Sequence, residues 1–375
     1  LVEFTGDKNE KIRKKALELL GKEAGAAKAG VAPEPVPAKS GNELAGLIDG
    51  LRSSDTMIQM DAVEKLSILG EKAIKPLIDS IDDKNPEFQN LVAEILTGMG
   101  DPAVKSMIKE LKTGRPAVKI ILAQNLAKIP EDRTIGALCE VLYEESDPVV
   151  RMVAAESLGF IGDSQGLDAL VYAVTNDENS RVKSAAIVSL GYFSEPKAIG
   201  ALISVLDSDD HFMCRKAVDS LKNSGTEAIP LLLEALRSGS HKRAHVAFAL
   251  ETLSWVPETE RDIIYYLAAK ENWDEIERIG EQAIDVLSEL MIDGDPESRA
   301  NALEMIARIG GDSSITPLIS ALGDLNTPIR KKAENVLFEQ GKAATPYLEQ
   351  VVADTADPNI RTFAMKLLKR IESGS

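Results

Sequence analysis

Residues 147–194 read DPVVRMVAAESLGFIGDSQGLDALVYAVTNDENSRVKSAAIVSLGYFS, and this stretch decides the fold. Ala154, Leu158, Gly159 and Ile161 recur 32 residues later as Ala186, Leu190, Gly191 and Phe193. Positions three and four apart share one face of a helix, so each set is a buried helical stripe. Asp147 and Pro148 mark the helix start, the first as an acceptor for orphan amides and the second tolerated in the opening turn. A second stripe, Leu167, Leu170, Val171 and Val174, ends at the polar turn Asn176, Asp177, Glu178. One unit is therefore helix A, turn, helix B, turn, and its copy follows at once.

Laid along the chain, the same template recurs, as expected of a stacked array. Unit ends fall at Gly70, Gly100, Pro130, Gly162, Ser194, Gly225 and Pro257, spaced 30 to 32 residues apart. Helix A stripes read Ile74, Leu77, Ile78, Ile81, then Val104, Met107, Ile108, Leu111, and on through Ile229, Leu232, Leu233, Leu236. One irregular unit, near residues 258–280, has a shortened second helix around Trp273–Ile279. Three ordinary units complete the chain. Residues 1–21 match the end of a unit through Arg13, Ala16, Leu17 and Leu20 and are read as a partial repeat. Residues 22–41, rich in Ala, Gly and Pro, are read as an extended linker. The repeat array then spans 42–375, an all-α solenoid of about ten helical hairpins. The chain opens at Leu1 and not at Met, which leaves room for an upstream segment with its own targeting signal.

Composition restricts the function. The formal net charge is −17, from 60 acidic against 43 basic residues, and aromatics are only 4%. Before Asn42 there are 6 acidic and 8 basic residues, so the acidity belongs to the repeat body. Nucleic-acid affinity rests mainly on basic side chains, and this surface argues against it. No apolar run approaches the roughly 20 residues that span a bilayer. Cys139 and Cys214 fall two units apart, beyond disulfide reach in a stack of helix layers about 8–10 Å apart, which fits a reducing, cytoplasmic setting.

The pattern Asp147, Pro148, Val150, Arg151, Ala154, Ala155, Leu158, Gly159, Ile161, Gly162 resembles the HEAT repeat, in particular the short variety named after phycobilisome lyases. The resemblance covers nearly all of residues 42–375. It implies a right-handed α-α superhelix with helix B lining the concave side, a fold that serves many unrelated roles. Asp147 with Arg151 recurs as Asp295 with Arg299, Asp357 with Arg361, Asn326 with Arg330 and Asn179 with Lys183. These pairs read as structural: a helix cap four residues before a cation that supports its own helix and bridges to the adjoining turn, worth a few tenths of a kcal/mol each.

The template breaks between His211 and Trp273. Helix B after Gly225 shows no Asp/Arg pair at its start and reads His241, Lys242, Arg243, Ala244, His245, with Arg237 just before. Trp255, Tyr265 and Trp273 lie just beyond. In an alanine-rich acidic chain this is an island of the residue types that dominate interface energetics. Arg237, His241, Lys242, Arg243, His245, Trp255, Tyr265 and Trp273 are accordingly the candidate partner-binding residues, with core filling at a bend as the competing role for the rings.

Enzymatic readings fare worse. His241 and His245 share a helix face, but a zinc-protease pattern needs Glu where Lys242 stands, and no third ligand is near except His211. No metal or cofactor is expected. Deoxyhypusine hydroxylases, similar in fold, depend on His-Glu dipeptides that this sequence lacks. Nothing beyond the repeat marks a bilin-lyase chromophore site, and HEAT-like DNA glycosylases present a basic groove that the −17 charge opposes. The expected function is a protein-interaction scaffold or adaptor for a partner of basic or mixed charge, without catalysis of its own. An enzyme or nucleic-acid-processing factor with its site at 211–273, or a structural subunit of a larger complex, are the alternatives. On this reading, changing Lys242, Arg243 and His245 together to Glu abolishes partner capture and leaves helicity and melting unaltered; unaltered binding would refute it.

Overall fold

In the computed structural model, residues 41–81, 84–238 and 243–374 are described, and every regular element among them is helical. The partial repeat at 1–21 and nearly all of the 22–41 linker lie outside them. The chain divides into two compact units, one running to Phe193 and the other spanning Ser194–Ser375. The first holds five described hairpins, from Gly41–Gly50 with Thr56–Leu69 to Leu167–Asn176 with Ser180–Leu190. The second holds six, from Pro196–Val205 with His211–Ser224 to Thr345–Asp354 with Pro358–Ser373. Each unit is an α-solenoid in which successive hairpins stack.

Local chemistry sets the hairpin. Helix B begins at an Asx cap: the side chains of Asp55, Asn85, Asp147, Asn179, Asp210, Asp295, Asn326 and Asp357 accept from amides two or three residues on. Proline follows several of these caps at the first helical position, where its missing N–H costs nothing. Gly162, with φ +67°, closes helix Pro148–Ile161 in the left-handed conformation and returns its N–H to Leu158 O. That is why glycine so often marks the end of a unit.

A second rule runs through the B helices. Seven residues before the apolar core position of most B stripes, Leu in nearly all and Ile306 in one, stands a side chain that donates to the carbonyls ending the preceding helix A. Gln59 Nε2 reaches Leu51 O at 2.9 Å and Gln89 Nε2 reaches Ile81 O at 3.2 Å. Arg151 Nη1 binds Glu145 O at 2.7 Å and Ser146 O at 3.1 Å, and Cys214 Sγ sits 3.4 Å from Val205 O. Arg299, Arg330 and Arg361 do the same to Gly294, Asp324 and Thr355. These carbonyls have no intrahelical partner and carry the negative end of the helix dipole, so a donor is needed here.

The arginines also fork forward. Arg151 Nε and Nη2 meet both carboxylate oxygens of Asp177 at 2.7 and 2.9 Å, and Arg299 does likewise to Asp324. Lys119 reaches Glu145 at 2.5 Å in the same way. Burial opposes the charge on Asp177, but its bonds from Arg151 and the Asn179 amide outweigh that and hold its carboxyl below the usual range. The side chain of Asp177 is 6% exposed, so the few tenths of a kcal/mol expected of an exposed pair is too small; charge-assisted bonds contribute nearer 1.5–3 kcal/mol.

Neighbouring B helices approach closely through small residues. Ser157 Oγ donates to Ala123 O at 3.3 Å and Ser189 Oγ to Ala155 O at 2.9 Å, each one hairpin back. A β-carbon on Gly159 would lie 2.4 Å from Ser189 Oγ and 2.9 Å from its Cα. The repeated Leu-Gly step in the opening stretch thus has, at Gly159, a packing cause. Gly159→Ala should destabilise the first unit by about 1–3 kcal/mol through overpacking. Gly136→Ala, on an open helix face with no neighbour within 4 Å, should stabilise by roughly 0.5–1 kcal/mol. Urea denaturation checks both, and equal effects would remove the close-approach explanation.

Candidate functional site

The third hairpin of the second unit departs from the rest. Its first helix, Glu260–Ala269, is ordinary. Its second, Trp273–Ile279, has 7 residues where His211–Ser224 and Pro296–Ile309 have 14. Ile276 holds the core position and is fully buried. Counting seven back from it reaches Ala269, still inside the preceding helix, so about two turns at the start of helix B are missing. Glu271 takes a left-handed φ of +55° to make the abrupt turn. The missing turns leave a notch of about 470 Å³ beside the next helix start.

Arg243 lines this notch, and its role differs from the expectation. It stands seven residues before buried Leu250, in the very column of Arg151 and Arg299, and its Nε donates to Leu236 O at 3.0 Å. The helix therefore keeps the arginine of the template, and the break lies elsewhere. Arg243 is only 6% exposed, and burial lowers its pKa. Its Nη2 is buried and makes no hydrogen bond, whereas Nη2 of Arg151 is held by Asp177. The residues 25 and 26 positions on, where the acid belongs, are Ala268 and Ala269. Trp273, half-buried, and the carboxylates of Glu271, Asp295 and Glu297 border the same space.

The other candidate residues are distributed around it. Arg237 and Tyr265 line a separate cleft of about 570 Å³ with Arg261 and Glu289. Arg237 Nη2 lies 2.5 Å from Asp262 Oδ1, and this bond with that from Thr259 outweighs burial to keep the Asp262 carboxyl below its usual range. Tyr265 is 2% exposed, its hydroxyl donates to Glu289, and burial together with that carboxylate pushes its pKa up to about 12. Trp255 packs edge-on against Tyr266 with centroids 6.0 Å apart. His245 is half-buried, with Nδ1 2.9 Å from Leu206 O and its ring edge-on to His211 at 6.0 Å. His241 and Lys242 lie outside the described residues. The structure thus brings Arg243 and Trp273 together, and Arg237 with Tyr265, while Arg243 and Tyr265 are largely buried and do not form an exposed basic and aromatic surface patch. Among the described residues no three His, Cys, Asp or Glu side chains converge as a metal site, and no helix is long and apolar enough to cross a membrane.

A second feature escaped the sequence reading. Phe160 is 72% and Tyr192 65% exposed, at equivalent ends of successive B helices in the first unit, and Tyr143 and Tyr172 are nearly half exposed on successive A helices. The two tyrosines form an edge-to-face pair with centroids 5.0 Å apart. The available signal was their place in the template, since all four fall off the apolar stripes.

The family model for HEAT repeats matches residues 104–191, 167–251 and 284–369. No curated protein matches the chain in sequence. Among solved structures, human deoxyhypusine hydroxylase is similar at 18% identity over 82% of this chain and 98% of its own, with a TM-score of 0.29. The complex of CpcE and CpcF of phycocyanin lyase from Nostoc sp. PCC7120 is similar at 18% identity over 72% of this chain and 94% of that one, with a TM-score of 0.32. Superpositions that loose carry no inference about activity.

Because Arg243 is buried, the charge-reversal expectation needs revision in its second half. Arg243→Glu alone should lower the urea midpoint, at a cost of roughly 3–5 kcal/mol, by placing an acid against Leu236 O and the carboxylates of the notch. An unchanged midpoint would show that the guanidinium is not part of the core.

Proposed function

This chain belongs to the HEAT-repeat family, and from that premise we propose that it is a protein-interaction scaffold or adaptor, without catalysis of its own, that holds a partner of basic or mixed charge on its stacked hairpins. The observation that carries this is the exposed aromatic set on consecutive hairpins of the first unit: Tyr143, Phe160, Tyr172 and Tyr192. Elsewhere in this chain alanine and leucine do the packing, and aromatics are only 4% of residues. Exposing most of Phe160 and Tyr192 has no folding benefit, and Tyr143 and Tyr172 keep nearly half their surface in water beyond their mutual contact, whereas buried aromatic anchors are the largest contributors at protein interfaces. An acidic body supplies the second component. With a net charge of −17, encounter is fastest with a basic or mixed surface and like-charged partners are repelled.

The test is the set Phe160→Ser, Tyr172→Ser and Tyr192→Ser in one protein. Melting should fall only slightly, because Phe160 and Tyr192 are mostly in solvent and Tyr172 gives up one edge-to-face pair with Tyr143, worth about 0.5–1.5 kcal/mol. A partner retained from native extract by the unmodified chain, identified by mass spectrometry, should be lost. Capture should also weaken as salt rises and the screening length falls from about 10 Å at 0.1 M to about 3 Å at 1 M. A partner held equally well by the triple variant would sink the proposal.

A further inference from the structure

The notch around Arg243 is a formed recess with an unmet hydrogen-bonding demand. A guanidinium edge that is more than nine-tenths buried, with Nη2 unpaired, calls for an oxygen acceptor, because an unsatisfied buried donor is expensive. In the two hairpins where this arginine forks onto an acid, at Arg151 and Arg299, the chain itself supplies that oxygen through Asp177 and Asp324; here Ala268 and Ala269 cannot. A free anion is a poor match, since Glu271, Asp295 and Glu297 border the same space and repel it. A bare cation is a poor match too, since it brings Nη2 nothing to bind. The groups together ask for a ligand with an acceptor oxygen and a positive charge a few bonds away. Trp273 adds an apolar face suited to an aliphatic stem beneath that charge.

Resting on the scaffold function proposed above and giving it a specific contact, we propose that this notch binds a lysyl or arginyl residue of a partner's peptide segment: its main-chain carbonyl oxygen accepts from Arg243 Nη2, its stem lies along Trp273, and its cationic head sits among Glu271, Asp295 and Glu297. The shortened helix is then what makes room for the segment. The missing acid of the ladder is replaced by the partner's own oxygen. Arg243 keeps its structural bond to Leu236 O in both states.

Trp273 provides the readout once Trp255→Phe leaves it as the single tryptophan of the full chain. The probes are acetyl-Gly-Arg-Gly-amide and acetyl-Gly-Lys-Gly-amide, with acetyl-Gly-Glu-Gly-amide, spermidine and free L-arginine as comparisons. The basic tripeptides should shift Trp273 emission saturably and the glutamyl peptide should not. Spermidine, a cation without the oxygen, should bind at least about tenfold more weakly. Glu271→Gln with Glu297→Gln, both exposed and therefore harmless to folding, should weaken the basic peptides at least about fivefold with melting unchanged. The proposal is overturned by no saturable shift, which leaves the notch holding water only. Spermidine binding as well as the peptides, or indifference to the double Gln variant, overturns it equally. Free L-arginine binding as tightly as the arginyl tripeptide would overturn the peptide assignment in favour of a free amino acid. Peptide binding without any captured partner would sink the scaffold and leave the notch standing; capture that depends on the exposed aromatic residues, without peptide binding, would do the reverse.

Discussion

The structure depends on how each helix A is finished. A short helix that stops against a tight turn leaves carbonyls with no partner in its own ladder, and in a stack of hairpins these ends lie beside the start of the next helix B. The side chain seven residues before the apolar core position of helix B meets this need, and its identity matters less than its ability to donate. Gln59, Gln89, Cys214 and the arginines at 151, 243, 299, 330 and 361 all serve. Arginine does more than the others because its fork has donors to spare for an acid one hairpin further on. Hairpin closure and hairpin stacking are thereby joined in a single side chain.

Viewed this way, the shortened third hairpin of the second unit departs from the others in two respects. Removing about two turns from helix Trp273–Ile279 leaves space between the helices on either side, and at the positions where a neighbouring hairpin would place the acid for Arg243 the preceding helix carries Ala268 and Ala269. A cavity and an unpaired donor thus occur side by side in this hairpin. Natural sequences satisfy such local rules wherever folding alone is at stake, and departures gather where another demand competes. The buried, unpaired Nη2 is a departure of that kind, held in place by the Leu236 bond.

The fold was legible because a 30 to 32 residue period repeats the same caps, stripes and glycines many times over, so that noise in any one unit is averaged out. Even the shortened unit could be read, because Gly280 follows Pro257 by only 23 residues where other unit ends are 30 to 32 apart. The donor column was legible only in part. Asp147 with Arg151 stood out as a charge pair, but Gln59, Gln89 and Cys214 fill the same column with other chemistry, and the column shows itself only when counted from the core leucine. The same count places Arg243. Read from its neighbours His241 and Lys242 it looks like part of a basic surface patch; read from Leu250 it is an interior arginine. Sequence adjacency and helical register gave opposite answers, and register decides burial. The exposed rings of Phe160 and Tyr192 were missed for the converse reason, since low aromatic content directed attention to clusters along the chain and not to equivalent positions one repeat apart.

Stability and recognition meet in this arrangement because a solenoid's hairpins contact only their neighbours, and the stability of the stack is close to a sum of local terms. In such a chain a weak interface does not unfold a distant one, so a hairpin can give up packing without loss of the fold elsewhere. The hairpin Glu260–Ile279 does so: its second helix buries Ile276 but lacks the donor column and the extra turns that its counterparts use. A compact globular core could not tolerate a missing double turn at its centre, because every side chain there is shared. Linear stacking confines the loss to one place, and there it leaves a recess with polar walls and an arginine already fixed in position. The period that makes the fold easy to recognise is therefore also what allows one unit to depart from it.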